Sequence, residues 1–325
     1  MRGKFLKALS EEFMNDLSKQ DGMLHSILAR VKEDHTLMLA IREDYINIYY
    51  RGGNILKVTK HRGYYKADFD TEFSKSGQPI PDLPGNITNQ DDAKKWVASF
   101  QDLKGIMDGY FSTHGKAERE FQQLVARENN YSTISSECEY YISDIEYTDP
   151  ADTSARFDIL AIRWLRTQRK DGRNCKAALI EMKYGDGALR GDAGIIEHLK
   201  DMHDMISNKE RYDNLLKTME SQFNQLEKLG LLRFNKSKSF SGVKIADKKP
   251  EVIFIFANHN PNSSKLETIL SGLKIDAHKE FDLKFYVASF AGYGLHAKCM
   301  RTLAEFRNLC EVKKRTQKEK TEICG

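Results

Sequence analysis

Two apolar segments, EVIFIFANHN at residues 251–260 and LKFYVASFAGY at residues 283–293, constrain the fold of this chain more than any other feature. Neither shows the regular alternation of apolar and polar residues that marks a half-exposed strand. Strands of this kind lie in the middle of a sheet that helices cover on both faces. The sequence therefore predicts an α/β fold with a central sheet.

The segments before them supply the other strands and helices of the same unit. A helix, GKAEREFQQLVARENN, precedes three strand patterns, EYYISDIEYTD, RFDILAIRWL and KAALIEMKYG. The turn signal KDGRN predicts that the last two strands form an antiparallel pair. Two helices follow, one over residues 195–206 and one that begins with Ser207 and Glu210 in capping-box spacing and ends before Gly230. The predicted order is α-β-β-β-α-α-β-(α)-β.

Residues 1–110 are predicted to form a small α+β accessory module, and residues 111–325 the main domain with a basic C-terminal tail. The amphipathic pattern MRGKFLKALSEEFMNDL predicts a helix at the start of the chain. Alternating residues around RGGN, residues 51–54, predict a β-hairpin with a glycine turn. A loop rich in turn residues runs from Ser74 to Asp92 and leads to a short helix around Trp96 to Met107.

Composition excludes several classes of protein. The 51 Lys and Arg residues exceed the 47 Asp and Glu residues only slightly, so the net charge of +4 does not by itself indicate a nucleic-acid partner. Five scattered cysteines without a CxxC pair argue against a zinc ribbon and a disulfide framework. No apolar run approaches the roughly 20 residues of a membrane span, and the N-terminal pattern is not that of a signal sequence. We expect a cytoplasmic protein.

Two opposite charges lie inside the apolar strand AALIEMKY, residues 177–184. Because side chains alternate along a strand, Glu181 and Lys183 project from the same face. On the preceding strand Asp158 lies between Phe157 and Ile159, and the predicted hairpin can bring it across from Glu181. Burying two carboxylates and an ammonium costs several kcal/mol per ion unless they are paired or hold a metal. These three residues are therefore the candidate functional site.

Two carboxylates about 4 to 5 Å apart on adjacent strands suit Mg²⁺, which binds one or two carboxylates and keeps its other positions for water and phosphate oxygens. A neighbouring lysine can orient or deprotonate an attacking water and stabilise the transition state. This combination is typical of phosphodiester hydrolysis.

The arrangement of Asp158 with Glu181-Met182-Lys183 one hairpin later resembles the motif of the PD-(D/E)XK nuclease superfamily, which has a restriction-endonuclease-like fold. GKAEREFQQLV resembles the first helix of archaeal Holliday-junction resolvases, whose glutamate corresponds to Glu118, with Glu120 as the alternative match. The resemblance covers roughly residues 114–295 and does not reach the N-terminal module. The proline of the motif is absent, because Arg156 and Phe157 precede the aspartate.

This resemblance implies a metal-dependent nuclease that hydrolyses DNA phosphodiester bonds. Its metal ligands would be Asp158, Glu181, Glu118 and the backbone carbonyl of Met182, and Lys183 would activate or position the water. Mg²⁺ is the expected cofactor, with Mn²⁺ able to substitute. Cleavage of both strands by an enzyme with one site would favour a homodimer.

Competing interpretations remain open at the sequence level. The site could be a buried ion-pair cluster without metal, in a catalytically inactive nucleic-acid-binding or scaffold protein of the same fold. A hydrolase of small phosphate esters is a weaker alternative, which would require an enclosed pocket. The (D/E)-x-Lys pattern also occurs elsewhere, and Asp282-Leu283-Lys284 comes closest, although it leads into its strand, where charges are easily solvated.

Other sequence features are compatible with a structural role as well as a functional one. His198 and His203 are five residues apart on a helix, and surface or packing roles are predicted for both. Asp186 and Asp192, in a glycine-spaced loop after the candidate strand, could reach a second metal. The basic segment at residues 233–250 and the tail KKRTQKEK could contact DNA phosphates or be solvated. Tyrosines interleaved with arginines in the N-terminal hairpin could stack on bases or belong to a half-buried sheet face.

Overall fold

The computed structural model describes residues 6–150, 152–169, 171–185, 189, 194–257, 264–273, 279–288, 295 and 297–308. Within these residues the protein is a mixed α/β structure with two five-stranded sheets. None of the helices found there is both long and apolar enough to span a membrane.

The first sheet is antiparallel and has its strands in sequential order. They are β1 (Leu37–Ile41), β2 (Tyr45–Tyr50), β3 (Gly53–His61), β4 (Tyr64–Asp68) and β5 (Asn86–Ile87). Helices α1 (Glu11–Ser18) and α2 (His25–Glu33) precede this sheet, and α3 (Gln90–Phe111) follows it. The predicted hairpin is confirmed, because β2 and β3 are joined by a turn at Arg51 and Gly52.

The second sheet follows the predicted order of elements. It contains β6 (Tyr140–Asp149), β7 (Asp152–Arg163), β8 (Cys175–Tyr184), β9 (Ile245–Ala257) and β10 (Asp282–Ala288), interspersed with α4 (Ala117–Tyr131), α5 (Ile195–Ser207), α6 (Lys209–Lys228) and α7 (Lys265–Ser271). The spatial order is β10-β9-β8-β7-β6. Strands β6, β7 and β8 pair antiparallel, whereas β8, β9 and β10 pair parallel, so the sheet is mixed.

Helices cover both faces of the second sheet because its side chains are apolar on both. The face that carries Leu160 and Leu179 packs against the apolar stripes of α5 and α6. The opposite face, with Ile159 and Ile180, packs against Phe121 and Val125 of α4.

The segment that forms β9 lies inside the sheet, and its side chains from Val252 to Ala257 have almost no exposure, as predicted. The predicted central position of the second apolar segment is wrong, because β10 lies at the edge of the sheet and, among the described residues, has only an isolated bridge to Arg301 on its other side. Leu283 and Tyr286 are accordingly partly exposed.

The bounds of three helices differ from the predictions. The short helix predicted around Trp96 to Met107 is the longer α3 (Gln90–Phe111), because Asn89 caps it at an earlier position. Residues 6–10 are not helical, because Ser10 caps α1 and the backbone of Leu9 exchanges hydrogen bonds of 2.9 and 2.8 Å with the side-chain amide of Gln225. Ser207 is the last residue of α5, and Asn208 caps α6 by accepting from the backbone amide of Arg211. At the start of α1, a contact with a residue 216 positions away in sequence outweighs local periodicity.

The two units contact each other through buried polar groups as well as apolar ones. The apolar core beside α5 and α6 is continuous with the core of the first unit. At this contact the guanidinium of Arg42 pairs with the buried carboxylate of Asp144, and Gln222 donates to the other oxygen of Asp144 at 2.9 Å. The division of the chain at residue 110 stays a prediction.

Candidate metal centre

The pairing of β7 with β8 determines where the candidate carboxylates lie. Ile159 pairs with Ile180, so Asp158 is one step further along, next to Glu181. Here the backbone amide of Met182 donates to Asp158 Oδ2 at 2.8 Å. The aspartate carboxylate thus accepts a hydrogen bond that a backbone carbonyl usually accepts in a sheet. Strand periodicity and hairpin register predicted this proximity correctly.

Glu181 and Lys183 are almost completely buried, at 1% and 2% exposure. Lys183 Nζ donates to Glu181 Oε1 at 2.6 Å. Burial raises the pKa of Glu181 well above its usual range, and the nearby Asp158 adds to the effect while Lys183 opposes it. Burial also raises the pKa of Asp158 to about 7, although its hydrogen bond from Met182 opposes the increase. Two carboxyl groups therefore share one poorly solvated region with a single ammonium.

Glu118 reaches the same end of β8 from the first turn of α4. Its Oε2 accepts a hydrogen bond of 3.2 Å from the backbone amide of Tyr184, the residue that follows Lys183. The ring of Tyr184 stacks on Phe121 of the same helix with centroids 4.7 Å apart. Residues 115–119 and Tyr184 line an open depression at this point. The structure thus brings together Asp158, Glu118 and the Glu181–Lys183 pair.

His198 also belongs to this cluster, although the sequence analysis assigned it a surface or packing role. Its Nε2 lies 3.1 Å from Glu181 Oε1, the same oxygen that Lys183 contacts. Burial, with a contribution from Lys183, lowers the pKa of His198 to about 4. A sequence signal existed: His198 is three residues after Ile195 and four before Met202, on the buried stripe of α5.

Glu146 is a second residue that the sequence analysis missed. It lies in β6 between Ile145 and Tyr147, whose partners Ile159 and Phe157 flank Asp158 on β7. Its backbone has a φ of +51°, a left-handed conformation that is uncommon for residues other than glycine. Its carboxylate pairs with the guanidinium of Arg119 at 3.2 Å and contributes to the raised pKa of Asp158. Nothing in the local sequence indicates a left-handed residue inside this strand.

The competing motif at Asp282 and Lys284 has a structural explanation. Lys176 donates to Asp282 at 2.7 Å, and Lys284 donates to the buried Glu251 at 2.8 Å. These pairs lie near the start of β8, at the end of the strand opposite Lys183. The two charges of this motif are therefore partners of other side chains and do not form a site with each other.

The structure describes only some of the other residues that the sequence suggested for binding. Tyr49 and Tyr65 of the N-terminal sheet are buried, with hydroxyl groups bonded to Arg42 and Asp16, as expected for a partly buried sheet face. In the basic segment at residues 233–250, several cationic groups contact side chains of this protein, including Lys248, which pairs with an aspartate at 2.9 Å. Residues 186 and 192 and the tail KKRTQKEK lie outside the described residues.

Among the oxygen atoms of this cluster that the structure describes, one is free to bind a divalent cation. Glu181 Oε2 is buried and has no hydrogen-bond partner among the described residues, which is the condition expected of an oxygen that binds a ligand. Carboxylates and a backbone carbonyl are the hard oxygen donors that Mg²⁺ prefers. No group of three or more His, Cys, Asp and Glu side chains within the described part of the chain is arranged to hold a metal. The fit is thus to a cation that takes two carboxylates and completes its shell with water.

Comparison with known proteins gave no relatives. No protein-family model, no curated protein and no solved structure matches this chain.

Proposed function

We propose that this protein is a Mg²⁺-dependent nuclease that hydrolyses DNA phosphodiester bonds, and that its second sheet has the restriction-endonuclease-like arrangement. The observation that carries the proposal is the buried cluster at the end of β8. There Asp158 and Glu181 lie side by side, Lys183 is paired with Glu181 at 2.6 Å, and Glu181 Oε2 has no partner among the described residues. A purely structural Glu181–Lys183 ion pair leaves the buried Oε2 of Glu181, unpartnered within the described part of the chain, unexplained.

Each side chain has a distinct task in this proposal. Asp158, Glu181 and the carbonyl of Met182 would hold the cation. Glu118, whose Oε2 accepts from the Tyr184 amide and which does not form a three-ligand group with the other two carboxylates among the described residues, would become the third carboxylate ligand when the cation binds. A bound Mg²⁺ lowers the pKa of a coordinated water and neutralises charge on the phosphate. Lys183 holds Glu181 by its Oε1 and places a positive charge next to the reacting phosphate.

His198 supports the same oxygen of Glu181 from α5. With its pKa lowered to about 4, the imidazole is neutral near pH 7, and its Nε2 lies 3.1 Å from Glu181 Oε1. Because Lys183 and His198 both engage Oε1, Oε2 remains for the cation. Partners of this kind orient metal ligands in many metalloenzymes.

The experiment is cleavage of labelled plasmid, linear, single-stranded and branched DNA with Mg²⁺ or Mn²⁺. Wild type is compared with Asp158→Asn and Lys183→Met. Asp282→Asn is the matched control, because it alters an acidic residue of another strand-associated (D/E)-x-Lys pattern, at the far end of the sheet. We expect metal-dependent cleavage by wild type and Asp282→Asn, and a loss of about 100-fold or more in the two site variants.

A different result would favour the alternative function. If wild type binds DNA but cuts none of these substrates with either metal, the protein is a non-catalytic nucleic-acid-binding protein of this fold. If Asp158→Asn cleaves as fast as wild type, the catalytic site lies elsewhere.

A further inference from the structure

Helix α4 lies between the two units and is held from both sides. On one side Glu118 contacts the backbone of β8, and Arg119 pairs with Glu146 of β6. On the other side the turn between β2 and β3, formed by Arg51 and Gly52, packs against the first turns of the same helix. The N-terminal unit therefore contacts the helix that carries one of the proposed metal ligands.

Gly52 makes the closest of these contacts. Its backbone has a φ of +73°, and a Cβ built there would lie 2.5 Å from the carbonyl carbon of Arg119 and 2.6 Å from its oxygen. No side chain fits at these distances, so only glycine allows the turn to lie directly on the backbone of the residue after Glu118. The backbone amide of Gly52 also donates to Gln123 Oε1 at 2.7 Å.

Further polar contacts fix the helix relative to the first sheet. Arg51 pairs with Glu120 of α4 at 3.0 Å and with Asp108 of α3 at 2.8 Å. The amide nitrogen of Gln123 donates to the backbone carbonyls of Thr36 and Tyr49, at 2.8 and 3.2 Å. Successive turns of α4 are thus tied to the N-terminal sheet, while Glu118 faces the second sheet.

We infer that the Arg51–Gly52 turn is a positioning element of the proposed metal centre, which sets the first turn of α4 so that Glu118 meets the end of β8. This inference rests on the proposed function. It gives the N-terminal unit a task inside the catalytic site, through backbone packing. Neither Arg51 nor Gly52 contacts substrate or metal in this scheme.

The decisive variant is Gly52→Ala, and Gly63→Ala is its matched control. Gly63 lies in the turn between β3 and β4 of the same sheet, with a φ of +81° and open space around the position of a Cβ. Both substitutions impose an alanine on a left-handed conformation, so both carry a similar backbone strain. Only Gly52→Ala pushes against α4.

The measurements are Mn²⁺ affinity by titration calorimetry and kcat and KM for DNA cleavage, with melting temperature and circular dichroism to verify folding. We expect Gly52→Ala to weaken Mn²⁺ binding and to lower kcat by about 10- to 100-fold, which is the usual effect of disturbing a group that orients a metal ligand. Gly63→Ala should leave both quantities within about 2-fold of wild type. Equal values for the two folded variants would overturn the inference.

A double-variant cycle tests whether the effect passes through Glu118. If it does, adding Gly52→Ala to Glu118→Gln changes Mn²⁺ affinity and kcat no further, whereas multiplied losses would show that the turn acts on something else. If Gly52→Ala lowers the folded fraction, Arg51→Ala replaces it in the cycle, because its partly exposed ion pairs contribute little to stability. A wild type that neither binds Mn²⁺ nor cleaves DNA would instead refute the proposed function, and the inference with it.

Discussion

Replacing Lys183 by methionine tests the energetic consequence of the buried cluster. At 2.6 Å from Glu181 Oε1, the ammonium contributes an attraction of about 6 kcal/mol at an effective dielectric constant of about 20. Lys183→Met loses this attraction and also relieves the desolvation of the ammonium. We expect a net decrease of about 3 to 5 kcal/mol in the free energy of unfolding, the usual cost of leaving one buried charge unpaired.

The double variant Glu181→Met/Lys183→Met removes both charges. Because a buried pair replaced by well-packed hydrophobic side chains of similar volume is often neutral or stabilising by about 1 to 4 kcal/mol, we expect its stability to equal or exceed that of wild type. Both variants should lack nuclease activity. The cluster would then be kept for function at a cost in stability.

The assay is urea denaturation without divalent metal at about pH 8. Proton uptake by Glu181, which its raised pKa favours, reduces the cost at lower pH. A Lys183→Met variant as stable as wild type at this pH would refute the reasoning, because Glu181 would then not depend on Lys183 to remain charged in the fold. A double variant less stable than the single one would refute it equally.

Three further predictions follow from other contacts. His198→Ala should weaken Mn²⁺ binding in calorimetry by about 10- to 100-fold, and His198→Gln, which keeps a polar N–H group beside Glu181, should lose less. Arg42→Met should lower the free energy of unfolding in urea by about 3 to 5 kcal/mol, because Asp144 stays buried without its guanidinium. Burial lowers the pKa of Lys7 to about 8, so between pH 8 and 10.5 the unfolded chain binds a proton that the folded protein does not, and stability rises with pH. The free energy of unfolding of Lys7→Met minus that of wild type, measured by urea denaturation across this range, should therefore decrease by about 3 kcal/mol as the pH rises. A difference that does not change with pH would show that Lys7 is not desolvated.

Local periodicity determined a large part of this protein. The order of elements from α4 to β10 follows from apolar runs and turn residues, because each reports on its own short segment. The same logic located Asp158, Glu181 and Lys183, since alternation along a strand and the register of one hairpin suffice to bring them together. Glu118 required only helical spacing and the family resemblance.

Tertiary structure decided what depends on contacts between distant segments. Gln225 holds Leu9 outside the first helix, and His198 contacts Glu181 only because α5 crosses that face of the sheet. The left-handed backbone of Glu146 and the packing of Gly52 on α4 left no local pattern either. Sequence periodicity specifies which face of an element is buried, whereas the partner on that face is set by how the whole chain packs.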